Sequence, residues 1–371
     1  MLFRSPSIVY LGNVPVGGDG PFSLNALDEF KPDALLFTVG AQATRKLGLP
    51  GESSARVYAA KDFVYHFNQL PPYATRPFPL GKRVAIVGMG NVMVDVARWI
   101  LQDDPHKKTD HVVVVARRGP FEVKFDRHEF DFIHMHLNRQ DFKDELHRVQ
   151  ERLVAVGQDC AKVKESTFPW LAQDETTVTP KLRFRFLSSP TEILPGHDGA
   201  MSGLRVIENV LVPKGTDTAA KATALTADLD CDTLIYAIGD SVDTTLGLPT
   251  NKDAYSTTAE HPYLICDPVS GAPLRDWFVA GWARRPSEGL VGNARMDGEH
   301  AAAEILKYFE QTPPAVVAAT PVADLPALLR RRGIQVVTQA EVELLEKAEA
   351  KMGEHFKFSD NASMLAAISK P

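Results

Sequence analysis

Cysteine is scarce: Cys160, Cys231 and Cys266 are the only three in 371 residues, and they lie far apart in sequence. Without a Cys-x-x-Cys pair, the chain offers no redox-active dithiol, no metal cluster and no iron–sulfur ligation. Long apolar runs are missing as well. None approaches the ~20 residues of a membrane span, and the first residues, Met1-Leu2-Phe3-Arg4-Ser5-Pro6, show no secretory apolar segment. Positive charge does not dominate either: the formal net charge is −6, and no basic stripe is interleaved with aromatics, so nucleic acid is not an expected partner. The one dense basic run, Arg330-Arg331-Arg332, precedes Gly333 and reads as a solvated helix end. His134 and His136 have no third ligand at a metal-binding spacing, so no metal is expected.

What remains is an ordinary globular composition, 44% hydrophobic and 24% charged, long enough for two domains. Its most informative stretch runs from Arg83 to Pro120. A β-run, Val84-Ala85-Ile86-Val87, leads into Gly88-Met89-Gly90-Asn91 and then the helical Val92-Met93-Val94-Asp95-Val96-Ala97-Arg98. This order of strand, glycine turn and helix brings backbone N–H groups and a helix N-terminus onto a pyrophosphate, with Asn91 as the expected N-cap. The sixth fingerprint position holds Met93 where Gly or Ala lets helix and strand pack closely. The next strand, Val112-Val113-Val114-Val115, ends in Arg117-Arg118 rather than in the acid that accepts from a ribose 2′-hydroxyl. Two fixed cations there fit a 2′-phosphate, so NADP(H) is the implied cofactor. The polar stretch from Gln102 to Asp110 reads as a surface loop between helix and strand.

A repeat frames this unit. Asp33-Ala34-Leu35-Leu36-Phe37-Thr38-Val39-Gly40 is echoed by Asp232-Thr233-Leu234-Ile235-Tyr236-Ala237-Ile238-Gly239, and each copy is followed by Leu-Gly-Leu-Pro, at Leu47 and at Leu246. Each is a buried strand of the form that closes a dinucleotide-binding domain. The expected fold is therefore α/β, with two Rossmann-like domains, one inserted in the other.

Between the copies, Asp62–Gln69 reads as a short helix and Pro71–Pro79 as a proline-rich linker. Phe142, Leu146, Val149 and Leu153 fall on one face of a helix from Asp141 that Gly157 is placed to end. Leu182, Phe184 and Phe186 alternate with arginines as in a half-buried strand, and the stretch to Val212 reads as an antiparallel meander. Further on, Asp276-Trp277-Phe278-Val279-Ala280-Gly281-Trp282 is a strand, and Gly289-Leu290-Val291-Gly292-Asn293 opens a long helix. A proline–alanine linker follows from Thr312, then a charged helix over Gln339–Met352.

At Gly12-Asn13-Val14, Thr38-Val39-Gly40-Ala41, Leu49-Pro50-Gly51-Glu52, Gly88-Met89-Gly90-Asn91-Val92, Asp95-Val96-Ala97-Arg98, Arg117-Arg118-Gly119-Pro120 and Gly281-Trp282, the chain resembles the adrenodoxin reductase-type NADPH:ferredoxin reductases. A looser similarity extends to the small subunit of glutamate synthase. The resemblance is collinear over most of the chain. It implies an FAD-dependent NAD(P)H oxidoreductase with an NADP-binding domain over residues 80–255, inserted in an FAD-binding domain over residues 1–75 and 260–312, and a linker and helical tail over 313–371. It implies that Gly88, Met89, Gly90, Asn91 and Val92 hold the NADP pyrophosphate, Arg117 and Arg118 the 2′-phosphate, and Glu129 the adenosine-side ribose. Trp282, Gly289, Leu290 and Val291 would lie against the flavin of FAD, with Gly289 also near the nicotinamide. Hydride would pass from nicotinamide to flavin, and electrons on to a ferredoxin or other redox protein. No side chain is demanded as an acid or base, because positioning two cofactors does most of the catalysis.

Plainer readings stand beside these. Glu129 has Lys124 and Arg127 as ion-pair partners, Trp282 has a place in a core, and Asp95 with Arg98 reads as a structural ion pair. Pro286-Ser287-Glu288 also departs from the family's turn over the nicotinamide. A larger departure is the lack of an opening strand and Gly-x-Gly-x-x-Gly turn for the FAD pyrophosphate before Gly12. The expectation is a truncated product, a reading frame begun late, or one half of a split flavoprotein completed by another polypeptide. The alternative function is then an NADP-binding module without its own flavin. A flavin-free dehydrogenase of the short-chain type needs Tyr-x-x-x-Lys, and Tyr58 with Lys61 is one residue too close. A cytoplasmic location is expected.

Overall fold

Val84, Ala85 and Ile86 are completely buried, and Val87 nearly so, which only a strand covered on both faces allows. A computed structural model places this strand at the centre of the inner of two compact units; it describes residues 8–17, 22–173, 178–286, 289, 291–312 and 324–369. The inner unit is Lys46–Ile238, and the outer unit combines Met1–Arg45 with Gly239–Pro371.

Along the inner unit run β1 (Val57–Ala59), α1 (Ala60–Phe67), β2 (Arg83–Val87), α2 (Asn91–Arg98), β3 (His111–Val115), α3 (Arg139–Val154), β4 (Leu182–Arg185), β5 (Ser188–Pro195), β6 (Met201–Lys214), β7 (Asp217–Leu229) and β8 (Thr233–Tyr236). Five of the strands form a parallel sheet in the order β1-β8-β2-β3-β4. Its two faces are covered differently. Val84, Ile86, Val112 and Val114 point into a core with Phe63, Met93, Phe130, Phe142 and Phe168, supplied by the helices and the chain between them. Ala85, Val87 and Val115 meet Ile193, Met201, Leu204 and Val206 of the antiparallel meander β5-β6-β7.

Local chemistry sets the helix ends. Asn138 caps α3 by accepting from the Asp141 N–H at 3.0 Å, and the chain leaves the helix through Gly157 at φ +77°. Phe142, Val149 and Leu153 are its buried stripe, so α3 is held by tertiary packing. An ion network adds to this: Glu145 and Glu208 of β6 are shared among Arg148, Arg152 and Arg185, and Glu145 Oε1 accepts the Phe186 N–H at 2.6 Å. Satisfying two carboxylates this completely is what makes their burial tolerable.

In the outer unit, Leu35–Phe37 lies parallel to Pro273–Val279, which pairs antiparallel with Leu264–Cys266. The helix Val291–Gln311 follows. Ala43–Thr44 and Asp240–Ser241 form a two-stranded antiparallel ribbon. Both copies of the repeat are thus parallel strands in separate sheets, Leu35–Phe37 in one unit and β8 in the other.

Several expectations need correction. Residues 46–75 belong to the inner unit because β1 pairs with β8 and α1 packs on its core, and the inner unit ends at Ile238 rather than at 255. The proline-rich segment is not a free linker. Its Phe78 is buried against Tyr58 and Phe63, with ring centroids 5.0 and 5.8 Å away. The loop after α2 begins as a π-helical turn, Trp99–Asp103, and buries Asp104 and Thr109. Leu182–Arg185 is the half-buried strand expected, at the edge of the parallel sheet, and the meander follows it. The C-terminal segment is no loose tail: Val337–Thr338 pairs with Leu11–Gly12, and Leu329, Ile334 and Val336 share a core with Phe22. Residues 313–323 lie outside the described residues.

Candidate dinucleotide-binding site

The turn after β2 has almost no room. Gly88 sits at φ +123°, its N–H donates to Val115 O at 3.0 Å, and a Cβ built on it would lie 2.2 Å from Ala237 O. Only glycine fits there. Gly90 is the opposite case: a Cβ on it meets nothing within 4 Å. It opens onto unfilled space at the helix start, the close backbone approach that a pyrophosphate needs. Gly90, not Asn91, is the N-cap of α2, and no side chain caps the helix. Asn91 turns aside to accept the Asp126 N–H at 2.6 Å, while the Lys124 N–H bonds to Met89 O at 3.0 Å. These two bonds border the turn with residues 124–126; the Met93 N–H donates to Gly90 O at 3.1 Å, and the Asn91 and Val92 amides are left for a ligand. Met93, the departure from the fingerprint, is wholly buried in the helix-side core, and Val92 is exposed.

β2 and β3 are parallel and in register at Val87 and Val115, so Arg117 and Arg118 emerge at the same sheet end as the glycine turn. Their backbone is pinned: Asn209 Nδ2 donates to Arg117 O at 2.9 Å, and the Leu187 N–H to Arg118 O at 3.1 Å. Their side chains differ. Arg117 is exposed and makes no side-chain hydrogen bond or ion pair among the described residues. Arg118 is mostly buried, with Nη1 3.0 Å from both carboxylate oxygens of Asp217 and 3.1 Å from Thr218 O. The expected pair of available cations is therefore one available cation and one occupied one.

Glu129, on the short turn Arg127–Phe130, pairs with neither Lys124 nor Arg127 among the described ion pairs. Its charge acts on Asp95 instead. Partial burial and then the Glu129 charge push the Asp95 carboxyl above its ordinary range, against the pull of Arg98. The expected Asp95–Arg98 ion pair is replaced by Arg98 lying 4.6 Å over the Phe132 ring.

In the outer unit, Gly281, Trp282, Asn293, Met296 and His300 line part of a cavity of about 290 Å³. Trp282 is 39% exposed, so it is not plain core. Gly281 (φ +67°) presents open space where a Cβ would be, and its N–H donates to Asp297 Oδ2 at 2.7 Å. Burial works against ionising Asp297, but hydrogen bonds from Arg284, Gly281 and Tyr263 hold its carboxyl below the usual range. Gly289 at φ +69° leads into the helix. Leu290 lies outside the described residues, as does the side chain of Val291. An exposed aromatic beside an open glycine fits one end of a planar cofactor, and the volume is at the small end for small-molecule sites.

Sequence reading missed Asp217, Thr218, Glu122, Arg284 and Asp297. Their roles depend on partners far away in sequence, and no local spacing signals them.

Taken together, fold and turn define a two-unit FAD/NAD(P)-type oxidoreductase fold. No family model matches the chain. It is 28% identical over 375 residues to the mitochondrial NADPH:adrenodoxin oxidoreductase of Salvelinus fontinalis, covering 92% of this chain and 73% of that protein. With the NADPH-ferredoxin reductase FprA of Mycobacterium tuberculosis it shares 30% identity over 331 residues, covering 82% and 69%. The solved structure of that FprA in complex with NADPH matches with a TM-score of 0.80 at 24% identity, covering 99% of this chain and 85% of that one. The chain belongs to the NADPH-ferredoxin reductase family that includes FprA and adrenodoxin reductase.

Proposed function

We propose that the chain binds NADP(H) at the Gly88–Val92 turn and Arg117 and donates its electrons, through FAD, to a ferredoxin-like protein. Family membership makes it an FAD-dependent NADPH oxidoreductase. The observation that carries the reading is the open Gly90 cradle, with an exposed arginine at the end of the next strand. The chain's own part is positioning. The α2 amides hold the pyrophosphate, Arg117 reads the 2′-phosphate, and Trp282 with Gly281 supports one end of FAD. When bound, FAD converts a two-electron donor into a source of single electrons.

A second reading is favoured by one feature. Among the described residues, Leu35–Phe37 is paired along one edge only, with Leu36 and Val39 exposed beside it. In this reading the strand accepts a further parallel strand carrying the FAD glycine turn, from a second polypeptide or a longer form of the chain. The chain alone then serves as an NADP-binding module.

One experiment addresses both. The purified chain is scanned for flavin absorbance and assayed for NADPH-driven reduction of a ferredoxin, with and without added FAD. Weak or absent flavin together with tight NADPH binding supports the second reading. Stoichiometric flavin carried through purification overturns it, and failure to bind NADPH overturns both.

A further inference from the structure

The arginine pair is split by an internal anion. Asp217 is the first residue of β7, just after the turn through Gly215 (φ +61°) that joins it to β6. Its carboxylate is held by the Thr218 N–H at 2.8 Å and by Arg118 Nη1 at 3.0 Å to each oxygen. Thr218 extends the same clasp: its hydroxyl donates to Glu122 Oε1 at 2.9 Å, and Glu122 Oε2 accepts the Gly119 N–H at 2.9 Å. Gln158 Nε2 closes the network on Glu122 Oε1 at 2.5 Å. The hairpin start is thereby fastened to the Arg117-Arg118-Gly119-Pro120 turn. First the Thr218 N–H and then Arg118 hold the Asp217 carboxyl below its ordinary range, so it is charged at neutral pH.

We infer that Asp217 sets how strongly the site discriminates NADP(H) from NAD(H), because it occupies Arg118 in place of a 2′-phosphate and leaves Arg117 as the reading cation. A 2′-phosphate that draws on Nη1 of Arg118 must displace a carboxylate already bonded to that nitrogen, and one that draws on the remaining N–H groups meets a charge that Asp217 already neutralises in part. In this reading that cost falls on the 2′-phosphate, the group the arginine pair would hold.

The inference rests on the proposed use of this turn by NADP(H), and the test separates the two. In the full chain, binding of 2′,5′-ADP is compared with binding of 5′-AMP, which lacks only the 2′-phosphate. Asp217→Asn keeps the acceptor for the Thr218 N–H and removes the charge. It is expected to tighten 2′,5′-ADP by about three- to tenfold, a fraction of one charge-assisted contact, and to leave 5′-AMP unchanged. Asp217→Ala should do the same, and adding Arg118→Ala to Asp217→Asn should erase the gain. Unchanged or weaker 2′,5′-ADP binding in both single variants, with the melting temperature retained, overturns the inference. So does a gain that survives loss of Arg118. If Arg117→Ala fails to weaken 2′,5′-ADP selectively, the NADP(H) reading itself fails, whatever Asp217 does.

Discussion

At the end of β3, the Arg117 guanidinium stands in solvent while its neighbour is clasped by Asp217. Replacing Arg117 with Ala is expected to weaken NADPH by about tenfold or more and to spare NADH, since one charge-assisted contact contributes about 1.5–3 kcal/mol. Parallel titrations with the two cofactors check this, and equal weakening of both would make Arg117 structural. The cysteines offer a second test. Cys231 is fully buried, and burial followed by the charges of Asp232 and Asp230 pushes its thiol up to about 12. Cys266 is buried as well, while Cys160 is partly exposed. Counting thiols with a chromogenic disulfide at neutral pH should therefore find at most Cys160 reacting in the folded chain, and all three in denaturant. Asp297 gives a pH dependence. Its carboxyl lies below the ordinary range in the folded chain, so its contribution to stability is present above the unfolded value of about 3.9 and is lost as pH falls through the lower folded value. Asp297→Asn should lower the melting temperature at pH 7, and the gap from the parent should narrow below about pH 4.

Among the elements, the two turn glycines make opposite predictions. Gly88→Ala places a methyl against Ala237 O and forces a residue with a side chain to φ +123°, so a loss of several kcal/mol, or failure to fold, is expected. Gly90→Ala meets nothing in the protein and is expected to keep the melting temperature while weakening NADPH, because its methyl occupies the pyrophosphate cradle. Thermal melts and cofactor titration on the two variants separate these outcomes. These glycines belong to the part of the fold that was readable from the chain. β2, the turn, α2 and β3 carry their pattern locally, as continuous apolar runs and one glycine-marked turn. Elements held by distant partners were not readable. β1 is three residues long and exists because β8 lies beside it, and Phe78 is core only because Tyr58 and Phe63 reach it. The N-cap passed from Asn91 to Gly90 for a similar reason, since Asp126 claims the asparagine side chain.

For the molecule as a whole, the chain showed that one unit is inserted in another, but placed the borders too far along it at both ends. The closing strands were legible, while the crossing points were not. After Leu35–Phe37 the chain leaves the outer unit before its Leu-Gly-Leu-Pro, and after β8 it leaves the inner unit before the second copy. Both cores of the inner unit are drawn from residues 47–238 alone. A polypeptide of residues 46–238 is therefore expected to fold independently, to melt cooperatively and to bind 2′,5′-ADP much as the whole chain does. Circular dichroism and the same titration decide it, and a molten polypeptide that fails to bind would mean that the outer unit is needed for the fold.

The ribbon of Ala43–Thr44 with Asp240–Ser241 sets where the inner unit begins and ends. Hydrogen-bonded strands run about 5 Å apart, so the chain enters and returns through neighbouring points. A unit whose two ends meet can be lifted out as a cassette and a short loop left in its place. By the same geometry, a related nucleotide-binding cassette can be spliced in at these two points without stretching the host. Such a chimera is expected to take its coenzyme preference from the insert.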